Sequence, residues 1–113
     1  MGVFNGAFPV LPGQEDAARS FAKEVLGPRH DEFVAQETEW GITDEVWTLQ
    51  PTPMGTLMLV YFVGDVEKAF TDLATGTSDF LTWLRAQVQA ITGVDLAQPP
   101  EGAPPETLLE WKP

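Results

Sequence analysis

Thr56-Leu57-Met58-Leu59-Val60-Tyr61-Phe62-Val63 decides how the rest of this chain is read. Leu57 to Val63 is its longest unbroken apolar run, set between Gly55 and Gly64-Asp65. β-Branched and aromatic residues bounded by turn formers predict a strand. Alternate side chains of a strand point to opposite faces. Leu57, Leu59, Tyr61 and Val63 therefore share one face, and Met58, Val60 and Phe62 share the other. Both faces are apolar, so both call for cover.

Working outward, Ile42 to Gln50 reads as a partner strand, with Val46, Trp47 and Leu49 as its apolar members. Pro51-Thr52-Pro53-Met54-Gly55 joins the two runs and predicts an antiparallel hairpin. A turn near Pro53 sets Glu45 opposite Tyr61 and Trp47 opposite Leu59, on one face. Beyond the central run, Asp65 is placed to cap a helix over Val66–Leu73. Thr75-Gly76-Thr77-Ser78 breaks it, and a longer helix follows to about Ile91. Phe80, Leu84, Val88 and Ile91 form its inner face, Trp83 flanks that face, and Gly93 closes it.

Val3 to Val10 reads as the opening strand, with Phe4, Phe8 and Val10 on one face and Val3, Asn5 and Ala7 on the other. Gly6 within it marks a bulge or a close approach. After the Leu11-Pro12-Gly13 turn, Glu15 and Asp16 favour a helix N-terminus. Ala18, Phe21, Ala22 and Val25 recur at helical spacing. Gly27-Pro28 interrupts that helix. A second piece runs from about Arg29 to Glu39 with Phe33 and Val34 inward, and Gly41 ends it. Ala97–Pro105 carries four prolines in nine residues and predicts an extended connector. Thr107 to Trp111 reads as a last strand.

Strand, helix, hairpin, helix, strand is the order of a ferredoxin-like βαββαβ domain of the α+β class. The expectation is one domain over residues 1–113, with a four-stranded antiparallel sheet and interrupted helices on one face. Helices on one face leave the other face of the central strand bare. A second copy packed sheet to sheet is the economical cover, which predicts a homodimer.

Seventeen acids against six bases give a formal charge of −11. Such a surface repels phosphates and anionic lipid, which argues against a nucleic-acid partner. No apolar run approaches the roughly 18 residues of a membrane span. The first residues lack the pattern of a signal peptide, so a soluble, cytoplasmic protein is expected. Cysteine is absent and His30 is the one histidine. The usual zinc sets and facial triads cannot be built from that inventory, so neither metal nor cofactor is expected. Dinucleotide, phosphate-loop and nucleophile-elbow patterns are also absent.

The chain resembles the dimeric α/β-barrel superfamily, which includes antibiotic-biosynthesis monooxygenase-like proteins. The residues carrying the resemblance are Val10-Leu11-Pro12-Gly13, Gln14-Glu15-Asp16, the hairpin from Glu45-Val46-Trp47 to Leu59-Val60-Tyr61-Phe62, and Asp65-Val66-Glu67-Lys68-Ala69. Within it the chain is most similar to small bacterial proteins of unknown function. The resemblance implies a homodimer whose two sheets enclose a barrel, with a ligand cavity between each sheet and its helices. It transfers no mechanism, since members range from cofactor-free oxygenases and haem enzymes to domains without known activity.

Glu45, Tyr61, Asn5 and His30 are candidates for catalysis. Glu45, opposite Tyr61 on a covered face, would have a raised pKa suited to proton transfer; its plainer role is a bond to the Tyr61 hydroxyl or to an arginine of a second subunit that fixes the interface. Asn5 in an apolar strand would hold a carbonyl or peroxy group, as the resemblance suggests, or simply sit beside Gly6 at an edge. His30 would serve as base or haem ligand, or begin a charged helix turn in solvent. Trp47, Tyr61 and Trp83 are candidates to wall a ligand pocket, although core filling is the commoner use of tryptophan. Two functions follow. One is a small-hydrophobic-ligand-binding or assembly protein; the other is a cofactor-independent monooxygenase or isomerase acting on an aromatic or polyketide-like molecule.

Overall fold

The expected central strand is the middle strand of the sheet. A computed structural model of the protein describes residues 2–100 and 102–113. Its elements run β1 Gly2–Pro9, α1 Glu15–Leu26, α2 His30–Glu39, β2 Asp44–Thr52, β3 Gly55–Gly64, α3 Val66–Thr75 and α4 Asp79–Thr92. The strands form one sheet in the order β1-β3-β2, with both pairings antiparallel. Gly27-Pro28 separates α1 from α2, and Gly76-Thr77-Ser78 separates α3 from α4.

Met58, Val60 and Phe62 face the helices. Met58 joins Val10, Phe21, Val25 and Ile91 in one buried cluster, and Phe62 joins Trp40, Ala69, Phe80 and Leu81 in a second. Val60, Phe33, Trp83 and Leu84 touch both clusters and tie them together. The opposite face of β3 has no helix over it. There Tyr61 is 36% exposed, and Val46 beside it is 54% exposed.

The α+β class holds, but the expected four-stranded ferredoxin-like βαββαβ sheet does not form. The sheet has three strands, and Thr107–Trp111 pairs with none of the described residues. Leu108, Leu109 and Trp111 are 89%, 83% and 76% exposed. Thr, Leu and Trp favour an extended backbone, yet a strand also needs a neighbour to bond, and composition cannot supply one. Of the connector before it, Glu101 lies outside the described residues. β1 and β2 are consequently both open edges.

Local readings fared better. The Asp65 carboxylate accepts the Lys68 backbone N–H at 3.1 Å and caps α3, and the Ser78 hydroxyl accepts from Leu81 N–H to cap α4. Gly93 ends α4 at φ 77°, a left-handed conformation that glycine adopts without strain. β1 pairs with β3 without a bulge, so Gly6 marks a close approach instead. The Phe4 ring lies where a Gly6 side chain would sit. Val34 is 45% exposed, not inward, and only Phe33 of that pair reaches the core. Among the described residues no helix is long and apolar enough to cross a membrane. Removing the α3 cap by Asp65→Ala should cost about 1 kcal/mol, measured by urea denaturation.

Candidate functional site

The hairpin register decides what the site contains. β2 and β3 turn through Pro53-Met54, so Glu45 pairs with Phe62 and Val46 pairs with Tyr61. This is one residue away from the expected pairing of Glu45 with Tyr61. A shift of one residue exchanges the faces of a strand. Glu45, Trp47 and Leu49 therefore point toward the helices beside Met58, Val60 and Phe62.

Between the sheet and the helices lies a cavity of about 90 Å³. Nine of its lining residues are Phe or Trp, and they come from strands and helices alike. Gly6 contributes by absence, since the Phe4 ring that forms part of the wall lies over it. A single water needs only about 10–15 Å³, so the space admits a small molecule.

Glu37 and Glu45 bring carboxyls to this apolar wall. Phe33, Glu37 and Trp40 follow helical spacing along the inner side of α2. Glu45 is held from its own strand, because Trp47 Nε1 donates to Glu45 Oε2 at 2.6 Å. The Trp47 ring in turn packs on Phe21, with centroids 5.1 Å apart. Burial pushes the Glu37 carboxyl up to about 9, helped by its hydrogen bond to Glu45 and by the Glu45 charge. Glu37 therefore keeps its proton at neutral pH and has it to donate toward Glu45. Thr92, also in the wall, donates its hydroxyl to the Val88 carbonyl within α4. The carboxyl pair is thus the chemically active part of the lining.

A second polar group braces the site from behind. Trp40 is buried, and its Nε1 donates to Asp72 Oδ2 at 2.9 Å. Lys68 Nζ lies 3.0 Å from the same oxygen and 3.4 Å from Glu39 Oε1. The bond from Trp40, then that from Lys68, holds the Asp72 carboxyl below the ordinary carboxylate range. The arrangement ties the end of α2 to α3 and fixes one wall of the cavity.

The other candidates lie elsewhere. Asn5 and Tyr61 are paired neighbours on the outer face of the sheet, away from the cavity. His30 is exposed at the first residue of α2, with Nδ1 3.6 Å from Asp31 Oδ1. Trp83 packs between Phe21 and Phe80, with the Arg29 guanidinium 4.2 Å over its ring, and does not line the cavity. Of the expected residues, only Glu45 and Trp47 meet in it. Glu37 was not singled out from sequence, although its position four residues after Phe33 and three before Trp40 was the available signal. Comparison with family models, curated proteins and solved structures finds no match for the chain. Any functional reading therefore rests on this geometry.

Proposed function

We propose that the protein binds a small hydrophobic molecule in the cavity between its sheet and helices. The observation that carries this reading is the largely aromatic wall around about 90 Å³, with Glu37 and Glu45 as its carboxyls beside the polar residues Gln36 and Thr92. Small-molecule sites are typically apolar hollows with a few placed polar groups. The test is a methyl NMR titration with cyclohexanol. Met58 is buried and lines the cavity, whereas Met54 at the hairpin tip is 98% exposed and serves as control. Saturable movement of the Met58 methyl signal with a still Met54 signal is expected. Equal, unsaturating movement of both would contradict the reading.

Within the same proposal the protein works as a homodimer through the outer sheet face, as the resemblance to dimeric α/β barrels implies. Its support is the outer face of β3, where Tyr61 is exposed and Leu57, Leu59 and Val63 are half-buried with no helix over them, together with the largely exposed apolar residues Leu108, Leu109 and Trp111 of the tail.

The second reading, a cofactor-independent isomerase or monooxygenase, draws support from the carboxyl pair. A carboxylic acid hydrogen-bonded to a carboxylate in an apolar site can move a proton on a carbon acid. Asn5 lies on the far face, which leaves Glu37 and Glu45 as the groups for such a reaction. Loss of turnover in Glu45→Gln with retained fold would favour it.

A further inference from the structure

Resting on the ligand-binding reading, we propose that the occupant of the cavity is a small organic ammonium ion. Its alkyl groups would lie against the aromatic walls and its charge would face the Glu37–Glu45 carboxyls. Three observations converge on that class.

The first is the wall itself. Phe and Trp faces carry negative electrostatic potential and attract cations, most strongly where water is excluded; quaternary ammonium groups are the ligands such cages suit. The second is the carboxylate at the pair. Glu45 accepts from Trp47 Nε1 and from Glu37, but both donors are neutral. A neutral ligand would bury that charge without balancing it, and an anion would add to it. A monocation would neutralise it. The third is the charge of the whole chain, −11, which draws cations toward any cleft and repels anions.

A metal ion does not fit the same place. Hard cations take about six or more oxygen ligands, and the wall is mostly carbon. Among the described residues no three His, Asp or Glu side chains come together. The cation that suits two carboxyls and aromatic rings is therefore an organic one, and the volume restricts it to a head group with short substituents.

The experiment compares three molecules of similar shape in the full-length protein: choline, its neutral carbon isostere 3,3-dimethylbutan-1-ol, and the anion 3,3-dimethylbutanoate. Calorimetry gives the affinities, and the Met58 methyl signal places the ligand. Choline is expected to bind at least about tenfold tighter than the alcohol, a difference of about 1.4 kcal/mol, with no binding of the anion. Glu45→Gln should bring choline down to the level of the alcohol. If the alcohol binds as well as choline or better, the ammonium proposal fails while the cavity reading stands. If none of the three moves the Met58 signal, both fail. The wild-type comparison decides even if the variant does not fold.

Discussion

Val60→Lys is expected to unfold the protein, while Leu59→Lys leaves the protomer folded. The two residues are neighbours in the same strand, and nothing in their chemistry distinguishes the substitutions. What differs is the face. Val60 packs against both buried clusters under the helices. Val60 also lines the cavity, so a lysine there must thread its longer side chain through the aromatic lining to bring its charge to the Glu37–Glu45 carboxyls, or push the helices from the sheet. Overfilling a packed core costs about 1–3 kcal/mol, occasionally more, and the charge adds its desolvation; together these take a large part of the roughly 5–15 kcal/mol that holds a domain together. Leu59 lies on the uncovered face between Ala7 and Thr48, where a lysine reaches water. Its effect on the protomer should stay within about 1 kcal/mol. Urea denaturation checks both. In the proposed homodimer the added charges would face each other, so in light scattering Leu59→Lys is expected to run as a monomer. An unmutated protein that is already monomeric at micromolar concentration would remove the dimer from the account without touching the cavity.

Much of this fold was legible because the sequence states it locally. The alternation along Thr56–Val63 gave the two faces, Asp65 and Gly93 gave helix boundaries, and Gly27-Pro28 gave the break between α1 and α2. The register was not legible at the precision the site required. Pro51-Thr52-Pro53-Met54-Gly55 accommodates a turn centred on Pro53 or between Pro53 and Met54. The protein uses the second, with Gly55 at φ 125°. That single step moved Glu45 from the outer face to the inner. The pattern of β2 itself held the correction, because Trp47 and Leu49 share a face with Glu45 while Asp44, Thr48 and Gln50 occupy the other. Glu37 was hidden for a different reason. α2 is rich in acids, and one carboxyl that faces inward looks the same in sequence as those that face water. The last strand failed on a third ground, since pairing depends on what lies beside a segment and not on the segment's own residues.

Stability should fall as pH rises from mildly acid to alkaline, and Glu37→Gln should abolish most of that fall. The folded carboxyl titrates near 9, against an ordinary value of 4.5. Below about pH 4.5 it is protonated in both folded and unfolded chains, so its burial in the fold carries no charge. Between about 4.5 and about 9 only the unfolded chain gives up the proton, so each step upward favours unfolding. Above about 9 the dependence levels off. Water reaching the half-buried side chain screens part of the effect. Asp72 acts in the opposite sense: its bonds to Trp40 and Lys68 stabilise the fold above the ordinary carboxylate range and are lost as acid protonates it. Gln at position 37 keeps a donor for Glu45 and has no proton to lose. Urea midpoints across the window should therefore decline for the natural sequence and stay level for the variant, apart from contributions of other groups.

The central claim is that a carboxyl retaining its proton at neutral pH faces an apolar cavity beside Glu45. Carbon-13 NMR of the side-chain carboxyls, with Glu37 assigned by comparison with Glu37→Gln, measures this directly. The account predicts that the Glu37 signal stays at its protonated position through neutral pH and moves only near pH 9. It also predicts that choline shifts that signal toward the ionised position at fixed pH, because a cation beside the pair favours loss of the proton. A Glu37 signal that titrates near 4.5, as an ordinary glutamate does, would contradict the account.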